Sequence, residues 1–454
     1  MDHLVHWIFL DDKLTNPFLH THICRQIRDI ALSSPRLWRF VDISHRQQWR
    51  KFLVRSMPMA ISLITRSQLR VLAINSTTLS RHASRVNYVD VTLHSNDMRE
   101  FLFAMQSDGQ QLWSLRLCSS GGNANDDSPH LACGLPSLRH LTLVGVSVRW
   151  DSCVDLTRLE LRGPVQPEMT FSQLHDVLYH SPRLEDIIIY KYLITNIDIS
   201  PITVHLPHLR KMMLSTDSLT ASHLFSELDS VPPTAHVTIF SAPNEPTMSF
   251  LPHGIVRLSP FQITPKTVLR FYAGSGLYLL SQDVRAGSYN SSVTCAIRVE
   301  QPEERSSEFF SVMLRATVSH FDLSQLTILE LVLFSDFSDA DAVESFLCSM
   351  PLLSTLRVDP MSALITLTAL GVCTGHSQPP CPLLTCIQVG KPDYCSWPVV
   401  SSDFVGPIVG ALRKRATSLG HPLQTLKLIG THKIGREVIG LLKPYVDELI
   451  VPIR

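Results

Sequence analysis

Five residues with metal-ligating side chains crowd one stretch of the chain: Cys373, His376, Cys381, Cys386 and Cys395. Thiolate and imidazole are the usual donors of tetrahedral zinc, but zinc sites favour paired ligands two to four residues apart, and no Cys-x-x-Cys is present. Cys386 also falls inside a predicted strand. The stretch therefore reads as loop and core cysteines, and no metal site is expected. His20-Thr-His22 places two imidazoles on one face of an extended chain, with no third ligand near in sequence. Ala273-Gly-Ser-Gly276 fits neither a dinucleotide fingerprint nor a phosphate-binding loop. Neither a Gly-x-Ser-x-Gly elbow nor a His-Glu-x-x-His pair occurs. No catalytic or cofactor-binding residue is assigned, and the chain reads as a non-enzyme without a cofactor.

Charge narrows the partners. The 454 residues carry 40 basic and 40 acidic side chains, a formal charge of zero. Binding a polyanion needs a clear basic excess, so nucleic acid is not expected as a partner. The longest basic run, Arg413-Lys-Arg415, reads as a solvated last helical turn. No stretch approaches the roughly 20 apolar residues of a membrane helix, so no membrane partner is expected. The N-terminus lacks the basic start and cleavage site of a signal peptide. A cytoplasmic or nuclear protein is the expectation, with its ten cysteines reduced and mostly buried.

One unit recurs along the chain: proline, any residue, an aliphatic, two residues, an aliphatic, one residue, an aliphatic. It stands at Pro136–Leu143, Pro182–Ile189, Pro207–Leu214, Pro351–Val358 and Pro382–Val389. Chance predicts roughly one such octet in this composition, and five are present. Looser copies without the proline lie at 69–74, 86–91, 112–117, 156–161, 326–331, 423–428 and 446–451. Side chains alternate across a strand, so the last two aliphatics face one core, while proline ends a preceding helix. One unit cannot bury its apolar face alone, whereas stacked neighbours can. The spacing thus predicts an α/β leucine-rich-repeat solenoid, horseshoe-like with irregular repeats, over 51–454. Helices are predicted at 95–105, 170–179, 221–228, 306–318, 340–349, 403–417 and 436–442. Degenerate repeats are predicted over 231–325, or alternatively an inserted hairpin-rich subdomain around Gly274–Ser292.

Residues 1–50 differ. Positions 23, 27, 30 and 31 are apolar with helical spacing, and Ser33-Ser-Pro35 ends that helix. Arg36-Leu-Trp-Arg-Phe-Val-Asp-Ile43 follows. Cys24, Arg25, Arg28, Ile30, Ala31, Pro35, Leu37, Trp38 and Ile43 resemble the C-terminal half of the F-box found in fungal F-box proteins with leucine-rich repeats. The match covers about 25 residues. The family's opening Leu-Pro helix has no counterpart, and Ile27 stands where the family commonly has Trp. The resemblance implies that Cys24, Arg25, Ile27, Pro35, Leu37 and Trp38 contact the Skp-type adaptor of a cullin–RING ubiquitin ligase. On that reading the chain is a non-catalytic adaptor that recruits a protein substrate. The alternative is an interaction scaffold without a ligase link, its F-box remnant serving as an N-terminal cap.

The expected partner surface is the exposed, concave side of the strands. The residue between the last two aliphatics of each unit points away from the core. This nominates Arg116, Thr142, Glu160, Ile188, Met213, Glu330, Arg357, Gln388 and Lys427, with Tyr190 beside Ile188. Tyr, Met and Arg are enriched where proteins bind one another.

Overall fold

A computed structural model describes residues 25–44, 48–65, 76–105, 111–120, 130–131, 135–163, 169–192, 194–196, 203–241, 263, 267–272, 276–281, 292–299, 307–332, 337–371, 380–390, 405–420, 422–429 and 436–451. The chain forms two compact units, Met1–Leu209 and Arg210–Arg454.

The first unit is a parallel sheet of seven strands among the described residues. These are β1 (Phe40–Asp42), β2 (Ile61–Ile64), β3 (Val86–His94), β4 (Ser114–Ser120), β5 (His140–Val144), β6 (Arg158–Arg162) and β7 (Asp186–Tyr190). Each pairs in parallel with the next. The register aligns Leu115, Leu141, Leu159 and Ile187 in one row and Leu117, Leu143, Leu161 and Ile189 in another. All eight are buried. Removing such a side chain from water contributes about 1.5–3 kcal/mol each, so these rows hold the sheet together.

Helices supply the other side of that core. Helix α1 (Arg25–Ser33) leads into a 3-10 turn at Pro35–Trp38, and α2 (Gln48–Arg55) buries Trp49, Phe52 and Leu53. The boundary expected at 50/51 falls inside α2. A short α3 (Ser76–Ser80) precedes β3. Helix α4 (Ser95–Met105) matches its predicted span and buries Met98, Phe101, Leu102 and Met105. Helix α5 (Phe171–Tyr179) starts at a capping box: the Thr170 hydroxyl accepts from the Gln173 amide while the Gln173 side chain accepts from the Thr170 amide. It buries Phe171, Leu174, Val177 and Leu178.

The second unit contains β8 (Lys211–Ser215), β9 (His236–Ser241), β10 (Thr267–Tyr272), β11 (Gly276–Ser281), β12 (Ser292–Val299), β13 (Ile328–Val332), β14 (Thr355–Val358), β15 (Cys386–Val389), β16 (Leu423–Leu428) and β17 (Val446–Ile450). β8 pairs with β9 and β9 with β12, both in parallel. β12, β11 and β10 then form an antiparallel meander. β10 pairs in parallel with β13, and β13 through β17 follow in parallel order. Its helices are α6 (Ser218–Glu227), α7 (Ser307–His320), α8 (Ala340–Cys348), α9 (Pro360–Gly371), α10 (Val405–Leu419) and α11 (Arg436–Leu442). Helices α7 to α11 pack in succession, each against the next. Helix α9 is capped by Asp359, whose carboxylate accepts from the Ser362 amide (3.0 Å) and hydroxyl.

The leucine-rich-repeat solenoid expected from the spacing is not what the chain builds. The structure is α/β, with a mainly parallel sheet and helices in each unit, and the described residues form no regular repeat. Its strand connections range from the helices α7 and α10, of 14 and 15 residues, to two-stranded ladders such as Met169–Thr170 with Ile194–Thr195. In the second unit the antiparallel strand β11 breaks the parallel order. The physical reason is that the aliphatic spacing is a local signal: it fixes a strand and its buried face but says nothing of the connection that follows. What it did specify is present. Leu141, Leu143, Ile187, Ile189, Met212, Leu214, Leu356, Val358, Ile387 and Val389 are all buried. The loose copy at 69–74 lies outside the described residues.

Candidate functional site

Alternation turns a second set of strand residues away from the core, and in the first unit they form three rows. The register aligns Tyr88, Ser114, His140, Arg158 and Asp186, then Asp90, Arg116, Thr142, Glu160 and Ile188, then Thr92, Cys118, Val144, Arg162 and Tyr190. This open face mixes aromatic, cationic and anionic groups.

Its centre is Glu160. The side chain is 10% exposed and accepts from Arg158 Nη2 at 2.9 Å and from Arg162 Nε at 2.6 Å. The Thr142 hydroxyl donates to the same carboxylate at 3.4 Å. Burial works to raise the Glu160 carboxyl, but the Arg158 hydrogen bond and the two positive charges outweigh it and hold the group below its ordinary value. Residues two apart on a strand share a face, so the two arginines lean on Glu160 from either side. Across the sheet, Arg116 Nη1 lies 3.4 Å from the Asp90 carboxylate, with the arginine side chain 56% exposed.

Beside this ionic group stands an aromatic one. Trp113, just before β4, is 41% exposed. Its ring meets His140 edge-on at 4.9 Å and lies 6.3 Å from Tyr88. Its backbone carbonyl accepts from the Arg139 and His140 amides, which fixes the position where β5 begins. Burial, then the charge of Arg158, lowers the His140 imidazole, favouring its neutral form. Burial, then Asp90, raises the Tyr88 phenol.

The residues nominated from sequence fall on the open faces, but not all are accessible. Arg116 is exposed, Tyr190 half-buried with Lys191 Nζ 5.5 Å from its ring, and Met213 half-buried. Glu330, Arg357, Gln388 and Lys427 align in one row of the second unit, Glu330 being 8% exposed and the others half-buried. Ile188 is corrected: at 3% exposure it is a buried residue on the open side. Ile188 and Tyr190 belong to the first unit and Met213 to the second. Sequence reasoning missed Tyr88, Trp113, His140, Arg158 and Arg162. The two arginines were within reach of the alternation rule, since they flank Glu160 at two residues on either side.

Of the adaptor-contact residues, Arg25 is exposed, Pro35 and Leu37 are half-buried, and Ile27 lies within α1. Cys24 lies outside the described residues. Trp38 is corrected from a contact residue to a core residue. It has no exposed surface, its indole Nε1 donates to the Ala31 carbonyl at 2.7 Å, and Phe52 packs edge-on against it at 5.1 Å. The Arg55 guanidinium covers its ring at 4.5 Å.

Two further expectations concern cysteines and basic residues. Cys373, His376 and Cys395, like His20 and His22, lie outside the described residues. Cys381 is buried with its thiol pushed up to about 12, burial being the main cause. No group of three metal-ligating side chains is brought together among the described residues. Arg415, expected in a solvated turn, is 4% exposed instead. It donates to the Pro380 carbonyl at 2.9 Å and the Cys381 carbonyl at 2.7 Å, tying α10 to the turn that leads into β15. Among the described residues, no helix is long and apolar enough to cross a membrane.

No protein-family model matches the chain, and no curated protein matches it in sequence.

Proposed function

We propose that this chain is a non-catalytic adaptor. It holds a protein partner on the open face of its sheets, and its F-box-like stretch 24–38 joins it to the Skp-type adaptor of a cullin–RING ubiquitin ligase. The observation that carries the partner-binding half is the first unit's open face, which presents an exposed Trp113 and the arginines Arg116, Arg158 and Arg162. Tryptophan and arginine dominate the energetics of protein interfaces. The tether rests on the resemblance of residues 24–43 to the F-box.

A second reading is favoured by the burial of Trp38 and the pairing of β1 with β2. There the F-box-like stretch is a cap on the first sheet, and the chain is an interaction scaffold with no ligase link.

A pull-down of the full chain with purified Skp adaptor separates the two. The tether reading expects capture, lost on Leu37→Glu in a chain that stays folded by circular dichroism. An absence of capture by the wild-type chain would leave the cap reading.

A further inference from the structure

The arrangement on β6 has a chemistry of its own. Two guanidinium groups converge on one carboxylate, which leaves a single net positive charge. The carboxylate is nearly covered, at 10% exposure, whereas the arginine side chains are 44% and 46% exposed. What an approaching molecule meets is therefore cationic. Glu160 takes one N–H from Arg158 Nη2 and the Nε–H of Arg162. Each guanidinium carries five N–H donors, so four on each remain beyond those spent on Glu160. Both are held in place before any ligand arrives, which lowers the ordering cost of binding.

The neighbours set the size and the company of the ligand. Asp186, half-buried, stands beside Arg158 in the register and supplies negative charge at that edge. It makes a long polyanionic run unfavourable and leaves room for one anion. On the other side His140 aligns with Arg158, and Trp113 packs on His140, so an exposed indole lies on the same face, one residue beyond Arg158.

We propose that Arg158 and Arg162, gathered by Glu160, form an anion-recognition fork. Its occupant is a single Asp or Glu side chain of an extended partner segment. An aromatic or aliphatic residue nearby in that segment packs on Trp113. This deepens the partner-binding half of the proposed function and rests on it. Carboxylate geometry matches the paired N–H donors of a guanidinium.

The test is selection of a random dodecapeptide phage library on the immobilised full chain, followed by fluorescence polarisation of the enriched peptides. The expected consensus is one acidic residue within a few positions of an aromatic or aliphatic one. Arg158→Gln with Arg162→Gln weakens binding about tenfold, as does changing the acid to its amide in the peptide, which requires no altered protein. Arg149→Gln, on an exposed turn, leaves affinity unchanged. Peptides of neutral or basic consensus, insensitive to the double substitution, would overturn the fork while leaving partner binding intact. A library with no enriched sequence would also overturn it, whereas failure of the Skp pull-down bears on the tether alone.

Discussion

Replacing Glu160 by glutamine tests whether this carboxylate holds the open face together. Glutamine keeps the size and one acceptor oxygen but loses the charge. Two charge-assisted hydrogen bonds, at 2.9 and 2.6 Å, become ordinary ones or break. Buried, each would contribute about 1.5–3 kcal/mol. The arginine side chains are 44% and 46% exposed, so solvent screening brings each pair down to about 0.2–1 kcal/mol. Leaving two guanidinium groups side by side without their counter-charge adds repulsion of about 0.5–1 kcal/mol. The expected loss is about 1–3 kcal/mol, read as a lower urea midpoint at neutral pH. The pH dependence follows from the sign of the shift. Glu160 is held below its ordinary value when folded, so its contribution is fully present above the unfolded value of about 4.3 and is lost as pH falls through the lower folded one. Wild type and Glu160→Gln should therefore converge in acid. A substitution that leaves the midpoint unchanged at neutral pH, or a difference that persists undiminished in acid, would refute the reasoning.

Trp38→Ala should cost about 3–5 kcal/mol in chemical denaturation, because a fully enclosed indole and its bond to Ala31 are lost together. Gly390→Ala should cost about 3 kcal/mol or more. Its φ is +106°, and an added Cβ would sit 2.0 Å from the Ile429 carbonyl oxygen, in backbone that cannot turn aside. Gly410→Ala, inside α10 with nothing within 4 Å of the added carbon, should instead raise the melting midpoint, by about 0.5–1 kcal/mol of stability. Arg415→Met should cost about 2–3 kcal/mol by urea denaturation, since two buried carbonyls lose a charged donor.

Strands and their buried faces were legible because aliphatic alternation is a strong, local signal. Met212 and Leu214 were placed in the core from spacing alone, and they are there. The apolar spacing predicts a helix at 436–442, and α11 stands at Arg436–Leu442. Helix α9 was missed because it is apolar on nearly every side, so periodicity gave no cue. Packed between α8 and α10, it buries Ala363, Leu367, Ala369 and Leu370, and Thr366 as well. Asp359 before Pro360 was the readable signal, an acidic cap followed by proline at the first helical position. The connections could not be read, and with them went the expected solenoid. On the site, alternation placed Glu160 on the open side but not its near-burial, which depends on the side chains aligned around it. Trp113 escaped because it precedes its strand and belongs to neither alternating set.

The meander β10–β11–β12 also dictates an order of events as the second unit forms. β10 ends at Tyr272 and β11 begins at Gly276, so this antiparallel pair can form on the microsecond scale of an isolated hairpin. By contrast β9 meets β12, and β10 meets β13, across roughly sixty residues, where chain closure is costlier and slower. Pulse-labelled hydrogen exchange should find amides of the turn-linked strands protected first. Those of Val237–Ser241 should gain protection later, as the early-formed piece becomes the template on which the distant segments zip.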